Sequence, residues 1–304
     1  MKMSGTGPIV PIVIVLGFLA AGGALIGAAP SAGAAASGGA ADSGHATAAA
    51  TPVSSAGRFV WQDLMTPDAA GCRKFYGDLL GWQFHETTRN GKPYLIARLG
   101  GKPVAGIVEV KDPRVKDAGW LSYLSVDDID GAVSRVTAAG GSVLVAPLRI
   151  EGIGRIAAVT DPEGAPLGLA GLEIEAPVEP ADPPLARFFW REYFAHDAVK
   201  SLAFYKELNG YQDTLSTRKS LVPYHLLERN GPQAGLIQLP EELMAVKSNW
   251  LPYLRVDDPA AMSARVTALG GRVILPPTEM VRNGTVAIVA DPTGGAVALQ
   301  KWPI

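Results

Sequence analysis

The chain repeats itself at two levels, and this constrains its fold more than any other feature of its 304 residues. Arg58-Phe-Val-Trp61-Gln-Asp63 returns as Arg187-Phe-Phe-Trp190-Arg-Glu192, and Phe75-Tyr76 returns as Phe204-Tyr205, each 129 positions on. Trp120-Leu-Ser-Tyr123 returns as Trp250-Leu-Pro-Tyr253, and Asp161-Pro-Glu-Gly164 as Asp291-Pro-Thr-Gly294, now 130 apart. A fainter repeat lies inside each copy. Asp68 and Gly81 map onto Asp128 and Gly141 at an offset of 60, and Asp197 and Gly210 onto Asp258 and Gly271 at 61. Four similar units imply a fold built by duplication, in which no unit buries its apolar face alone.

Each unit opens on a short apolar strand. Thr66-Pro67-Asp68 then starts a helix whose buried face carries Phe75, Tyr76, Leu79 and Leu80, and Gly81 ends it. Asp128 starts the second helix, with Gly140-Gly141 as the stop. Turn signals such as Arg89-Asn90-Gly91 and Asp161-Pro162-Glu163-Gly164 separate the strands that follow. The unit reads β-α-β-β-β. Glu175 to Pro184, rich in proline and acids, is the joint between two domains, 58–172 and 187–304.

Composition narrows the rest. Net charge is −2 with no basic run, which argues against a nucleic-acid partner. Cys72 is the only cysteine, so neither an internal disulfide nor a cysteine-based zinc site can form. No charged residue occurs between Met3 and Ala41. Lys2, the apolar stretch Ile9 to Ala29 and Ala32-Gly33-Ala34 read as a cleaved export signal over 1–34. The alternative is an uncleaved membrane anchor, the chain's one route to a membrane, since about 20 apolar residues span a bilayer. Residues 35–57 are mostly Ala, Gly, Ser and Thr and lack the large apolar groups a core needs. The remaining chain, about 250 residues, suffices for two domains, each expected to have its own core.

Asp68…Phe75-Tyr76…Leu80-Gly81-Trp82, Val126-Asp-Asp128, Gly140-Gly141 and Asp161-Pro-Glu-Gly164, met twice in the same order, resemble the vicinal oxygen chelate superfamily of glyoxalase I, bleomycin-resistance proteins and extradiol dioxygenases. The chain also looks similar to a tandem actinobacterial subgroup described as hydroxylase-like or glyoxalase-like. The resemblance covers 58–172 and 187–302. It implies an α+β fold: tandem domains of paired units forming cupped mixed sheets with helices outside. It also implies a divalent metal in each cup, held by a His on the opening strand, a His or Gln on the strand opening the second unit, and a Glu near the last strand. Those places hold Trp61, Leu121 and Gly168, and then Trp190, Leu251 and Ala298. None offers a lone pair to a divalent ion, and catalytic sites need about three ligands. His85, His196 and His225 do not repeat between domains. No metal or other cofactor is therefore expected.

Strand alternation places Phe59, Trp61 and Asp63 on one face of the opening strand, the face that the resemblance turns toward the cup. Phe188, Trp190 and Glu192 are their counterparts, and Tyr123 and Tyr253 oppose them. Trp120 and Trp250 have the other parity and pack beneath the helices. A carboxylate among aromatics in both copies needs a partner, which could be a tyrosine, an arginine or a ligand. Arg98 and Arg155 become Glu228 and Thr285, so no arginine partner repeats. The expected function is metal-free binding of a planar or cationic small molecule by Trp61, Asp63, Tyr123, Trp190, Glu192 and Tyr253. One alternative is a glyoxalase-like lyase or hydroxylase-like enzyme using these carboxylates and tyrosines as acid and base. Another is a structural module without ligand.

Overall fold

A computed structural model describes residues 55–112, 117–176, 180, 182–216 and 222–302. The expected export signal and nearly all of the segment after it lie outside the described residues. The first domain runs β1 (Phe59–Thr66), α1 (Ala69–Leu80), β2 (Gln83–Arg89), β3 (Lys92–Leu99), β4 (Lys102–Glu109), β5 (Gly119–Ser125), α2 (Ile129–Ala138), β6 (Ser142–Ile150), β7 (Gly154–Thr160) and β8 (Pro166–Leu172). The second repeats it as β9 (Phe188–Ala195), α3 (Ala198–Asn209), β10 (Gln212–Leu215), β11 (Tyr224–Glu228), β12 (Pro232–Gln238), β13 (Asn249–Val256), α4 (Pro259–Ala268), β14 (Arg272–Leu275), β15 (Val286–Ala290) and β16 (Ala296–Lys301). Among the described residues, no helix is long and apolar enough to cross a bilayer.

The four repeated aspartates start the four helices. The side chains of Asp68, Asp128, Asp197 and Asp258 each accept a backbone N–H of the first turn, which would otherwise be left without an acceptor. Gly81 ends α1 at φ +72, a left-handed backbone that glycine enters without a side-chain clash.

Each domain closes into one eight-stranded mixed sheet, β2-β3-β4-β1-β5-β8-β7-β6 and β10-β11-β12-β9-β13-β16-β15-β14. The opening strands of paired units meet antiparallel at the centre, Asp63 opposite Leu121 and Glu192 opposite Leu251. The helices lie on the side of each sheet away from its cup, each with one face buried and the other exposed. Helix α1 and β1 share a core with α4 and β16, and α2 shares one with α3 and β12. The expectation of one core per domain is corrected: each cup keeps a smaller cluster of its own, but the two sheets meet back to back, β5 against β13 and β16, and the two largest cores, which take in the helices, cross the domain boundary.

The repeated motifs hold these shared cores together. Asp161 closes its own turn by accepting the N–H groups of Glu163 and Ala165 on Oδ1, and its Oδ2 accepts from Tyr205 of the other domain at 2.7 Å. Asp291 does the same for its turn, and its Oδ2 accepts from Tyr76 at 2.9 Å. Trp120 and Trp250 donate to Tyr76 and Tyr205 at 3.2 and 2.9 Å. Both lie beneath the helices as their parity indicated.

Candidate functional site

The floor of the first cup is a buried carboxylate. Asp63 Oδ1 accepts from Trp61 Nε1 at 2.9 Å and Tyr94 Oη at 2.7 Å, while Oδ2 accepts from Arg89 Nη1 at 2.7 Å and Tyr123 Oη at 3.0 Å. The strands explain how these groups converge. Asp63 on β1 stands beside Gly106 on β4, where a Cβ would lie 1.9 Å from the Tyr94 oxygen and 2.1 Å from Asp63 Oδ1. Glycine is what lets Tyr94 reach the carboxylate. Gly168, at the expected position of the metal-ligand Glu, likewise lies against the Tyr123 ring, 2.4 Å from where its Cβ would stand.

The electrostatics are self-contained. Burial works against the Arg89 charge, but Asp63 beside it more than compensates and holds the guanidinium above its ordinary pKa. Burial, followed by the Asp63 charge, pushes the Tyr94 and Tyr123 phenols well above 10. They stay protonated as donors at neutral pH, which removes the support for tyrosine acting there as a base.

The second domain repeats the clamp with a different arginine. Glu192 accepts from Tyr224 at 2.9 Å and also from Tyr253 and Arg282, while Trp190 Nε1 donates to the Tyr224 oxygen at 3.2 Å. Gly235 makes room for Tyr224 as Gly106 does for Tyr94. Arg89 comes from the end of β2, whereas Arg282 comes from the connection between β14 and β15. No arginine repeats between the copies, yet each carboxylate has one, recruited from a different part of its domain. Arg98 instead donates to the Gly101 carbonyl, and Arg155 pairs with Asp130 at the surface.

The two cups differ in what fills them. In the first, β6 continues for nine residues as an open lip, with Val143, Leu144 and Val145 exposed. A cavity of about 210 Å³ lies between this lip and the floor, lined by Arg89, Tyr94, Leu121, Tyr123, Leu148 and Ala158 among others. In the second, β14 stops after four residues at Pro276-Pro277, since proline cannot continue the ladder. The chain then turns inward. Val281 and Arg282 are buried, and Leu239, Leu243 and Ile288 pack with them over Trp190 and Tyr253. Arg282 and Asn283 sit at φ +47 and +50 to achieve this, a strained backbone for residues with side chains. The second cup is filled by its own chain.

A profile of the glyoxalase/bleomycin resistance protein/dioxygenase superfamily matches residues 57–169 and, separately, 187–299. The chain belongs to this superfamily. Among curated superfamily relatives, it is 31% identical over 247 residues to "Putative glyoxylase CFP32" of Mycobacterium tuberculosis, covering 79% of this chain and 93% of that protein. It is 28% identical over 261 residues to the anthracycline biosynthesis protein DauV of Streptomyces sp., covering 81% and 93%. Among solved structures, the Mn(II)-bound glyoxalase of Novosphingobium aromaticivorans superposes with a TM-score of 0.54 at 14% identity, covering 82% of this chain and 83% of that one. The 2,3-dioxygenase LapB of Pseudomonas sp. KL28 gives the same score and identity, covering 82% and 93%. At that identity the likeness speaks for the fold alone.

The residues of this superfamily member do not fit the metal that the fold implies. Trp61, Leu121 and Gly168 supply no ligand, and both oxygens of Asp63 are engaged by four donors, one of them a guanidinium. Among the described residues, no group of three or more His, Cys, Asp or Glu could hold an ion.

The structure brings Trp61, Asp63 and Tyr123 together in the first domain and Trp190, Glu192 and Tyr253 in the second. Of the six, only Tyr123 lines the open cavity, and both carboxylates are fully enclosed. Tyr94, Tyr224, Gly106 and Gly235 went unread, although Pro93-Tyr94 and Pro223-Tyr224, and Ala105-Gly106 and Ala234-Gly235, recur in the same order.

Proposed function

We propose that the chain is a small-molecule binding protein of the bleomycin-resistance type, working without a metal through the cup of its first domain. The observation that carries this reading is the contrast between the cups: one open with an apolar lining, the other packed with its own side chains. Asp63 is already matched in charge by Arg89, so the cup offers no free carboxylate to a cation. It suits a neutral planar molecule with a hydrogen-bond acceptor that can take an N–H from Arg89 or Lys92 at the cavity wall. A volume of about 210 Å³ is below the usual range of roughly 300–1,000 Å³ for drug-sized ligands, so it encloses one or two fused rings, with any remainder outside the mouth. Relatives named for anthracycline biosynthesis agree with a planar ring system as ligand. The second domain then serves as a structural module that completes the shared cores.

Coumarin, neutral and planar with one carbonyl, is a suitable probe. It should bind the full chain and raise its melting temperature. Ala158→Phe, which extends a half-buried side chain into the cavity, should abolish both effects while leaving the circular dichroism unchanged. Equal coumarin binding by wild type and variant would place the site elsewhere.

Export is proposed on the uncharged stretch Met3 to Ala41. Mass spectrometry of the native protein should find an N-terminus near Ala35. An intact Met1 in the membrane fraction would favour an anchor, and one in the cytosol would refute export.

A further inference from the structure

Each sheet has two edge strands, β2 and β6 in the first domain and β10 and β14 in the second. An edge presents a row of unpaired backbone N–H and C=O groups, and proteins keep it from pairing with another chain by charge, polarity or brevity. Three of the four edges are protected in this way. β2 carries Glu86 and is polar apart from Phe84, β10 has four residues with Asp213 among them, and β14 has four and opens on Arg272. β6 is the exception. It runs for nine residues, Ser142 to Ile150, and no charged residue occurs between Arg135 and Arg149. Residues 142–146 are all exposed, Leu144 at 56%, although three of the five are Val or Leu. In the second copy the equivalents of Leu144 and Val145 are Ile274 and Leu275, and both pack into the cluster that fills that cup. Among the described residues, nothing pairs with the outer side of β6.

We propose that β6 is the contact through which two copies of this chain form a weak symmetric dimer, edge strand against edge strand. The pattern of the strand selects a second copy as the occupant, because the exposed run is complementary to itself. Antiparallel pairing about a two-fold axis at Leu144 sets that residue against Leu144 of the partner subunit. Val143 then meets Val145 of the partner subunit, and Ser142 meets Ala146 of the partner subunit. Every cross-strand pair is apolar or small, and no like charges face each other. Arg149, the nearest charge, falls beyond the paired stretch and is held by Glu173 at 2.6 Å. Pro147 bounds the stretch on one side, having no N–H with which to continue a ladder, and Gly140-Gly141 bounds it on the other. A contact this short buries less than the roughly 1,200 Å² of a stable complex, so the dimer forms at about 10–100 µM. The axis stands perpendicular to the joined sheet, which leaves both open cups on the same side. Val145 lines the open cup, so the partner strand extends the rim beside it.

The test is sedimentation equilibrium of the purified protein over about 5 to 500 µM, a range that brackets the association expected of so small a contact. The mass is expected to climb from one chain toward two and to stop there, because a two-fold contact is used up in the dimer. Leu144→Lys brings two like charges together at the axis and should weaken the dimer at least about tenfold. The melting temperature at low concentration should not fall, because the Leu144 side chain already stands largely in solvent. Leu144→Glu should behave in the same way. An equimolar mixture of the two variants should regain dimerisation as a heterodimer, which a contact elsewhere on the molecule would not produce. A chain that stays monomeric across the range, growth beyond two copies, variants that dimerise as well as the wild type, or a mixture that fails to associate would each overturn the proposal.

Discussion

Above pH 10 the protein is expected to lose its stability within about one pH unit, far more steeply than most domains of its size. All eight of its tyrosines have phenols pushed above the ordinary value of 10, in every case chiefly by burial. A folded-state pKa raised above the unfolded one gives stability that is complete below the unfolded value and is lost as the pH climbs beyond it. Each phenol therefore removes about 1.4 kcal/mol per pH unit above 10, and eight together remove at most about 11 kcal/mol per unit. A typical domain is stable by only about 5–15 kcal/mol. Cys72 adds to the slope, since burial and Asp291 push its thiol from 9.0 to about 11. Tyrosinate absorbance and circular dichroism should change together in one transition as pH is raised. Ionisation of several tyrosines in a still-folded chain would contradict the enclosed hydrogen-bond clamps described here.

Asp63→Asn is expected to destabilise the protein by about 3–5 kcal/mol, as breaking a buried ion pair does. The new amide nitrogen must face a donor, Arg89 or a tyrosine hydroxyl, and the guanidinium loses its counter-charge. Denaturant melts should show a lower midpoint with an unchanged slope. Glu192→Gln should cost at least as much, because Arg282 is more fully enclosed than Arg89. Adding Arg89→Met to Asp63→Asn should recover part of the loss, since the unpaired cation is then gone. An Asp63→Asn protein of wild-type stability but weakened ligand binding would return the carboxylate to the role of ligand contact.

The sequence showed the fold clearly because its strongest repeats are the fold's own joints. Asp68 and its three counterparts cap helices, and Tyr76, Tyr205, Asp161 and Asp291 tie one domain to the other. Those residues recur because both domains solve the same packing problem, so they report architecture and little about ligand. The shared cores were not legible, since an apolar helix face looks the same whether it meets its own sheet or a neighbour's as well. The site was half legible. Alternation put Asp63 and Glu192 on the inner face, but their arginines come from Arg89 and Arg282, which have no common place in the repeat. The difference between the cups rests on a few residues after β14, where Pro276-Pro277 turns the chain inward, and no local pattern shows where such a segment will settle.

The most direct test of the account is the stoichiometry of coumarin binding to the full chain, measured by calorimetry with and without a chelator. One open cup and one filled cup predict a single coumarin per chain, with affinity unchanged by the chelator and lost in Ala158→Phe. Two equivalent sites, or binding that vanishes when divalent metal is removed, would contradict it.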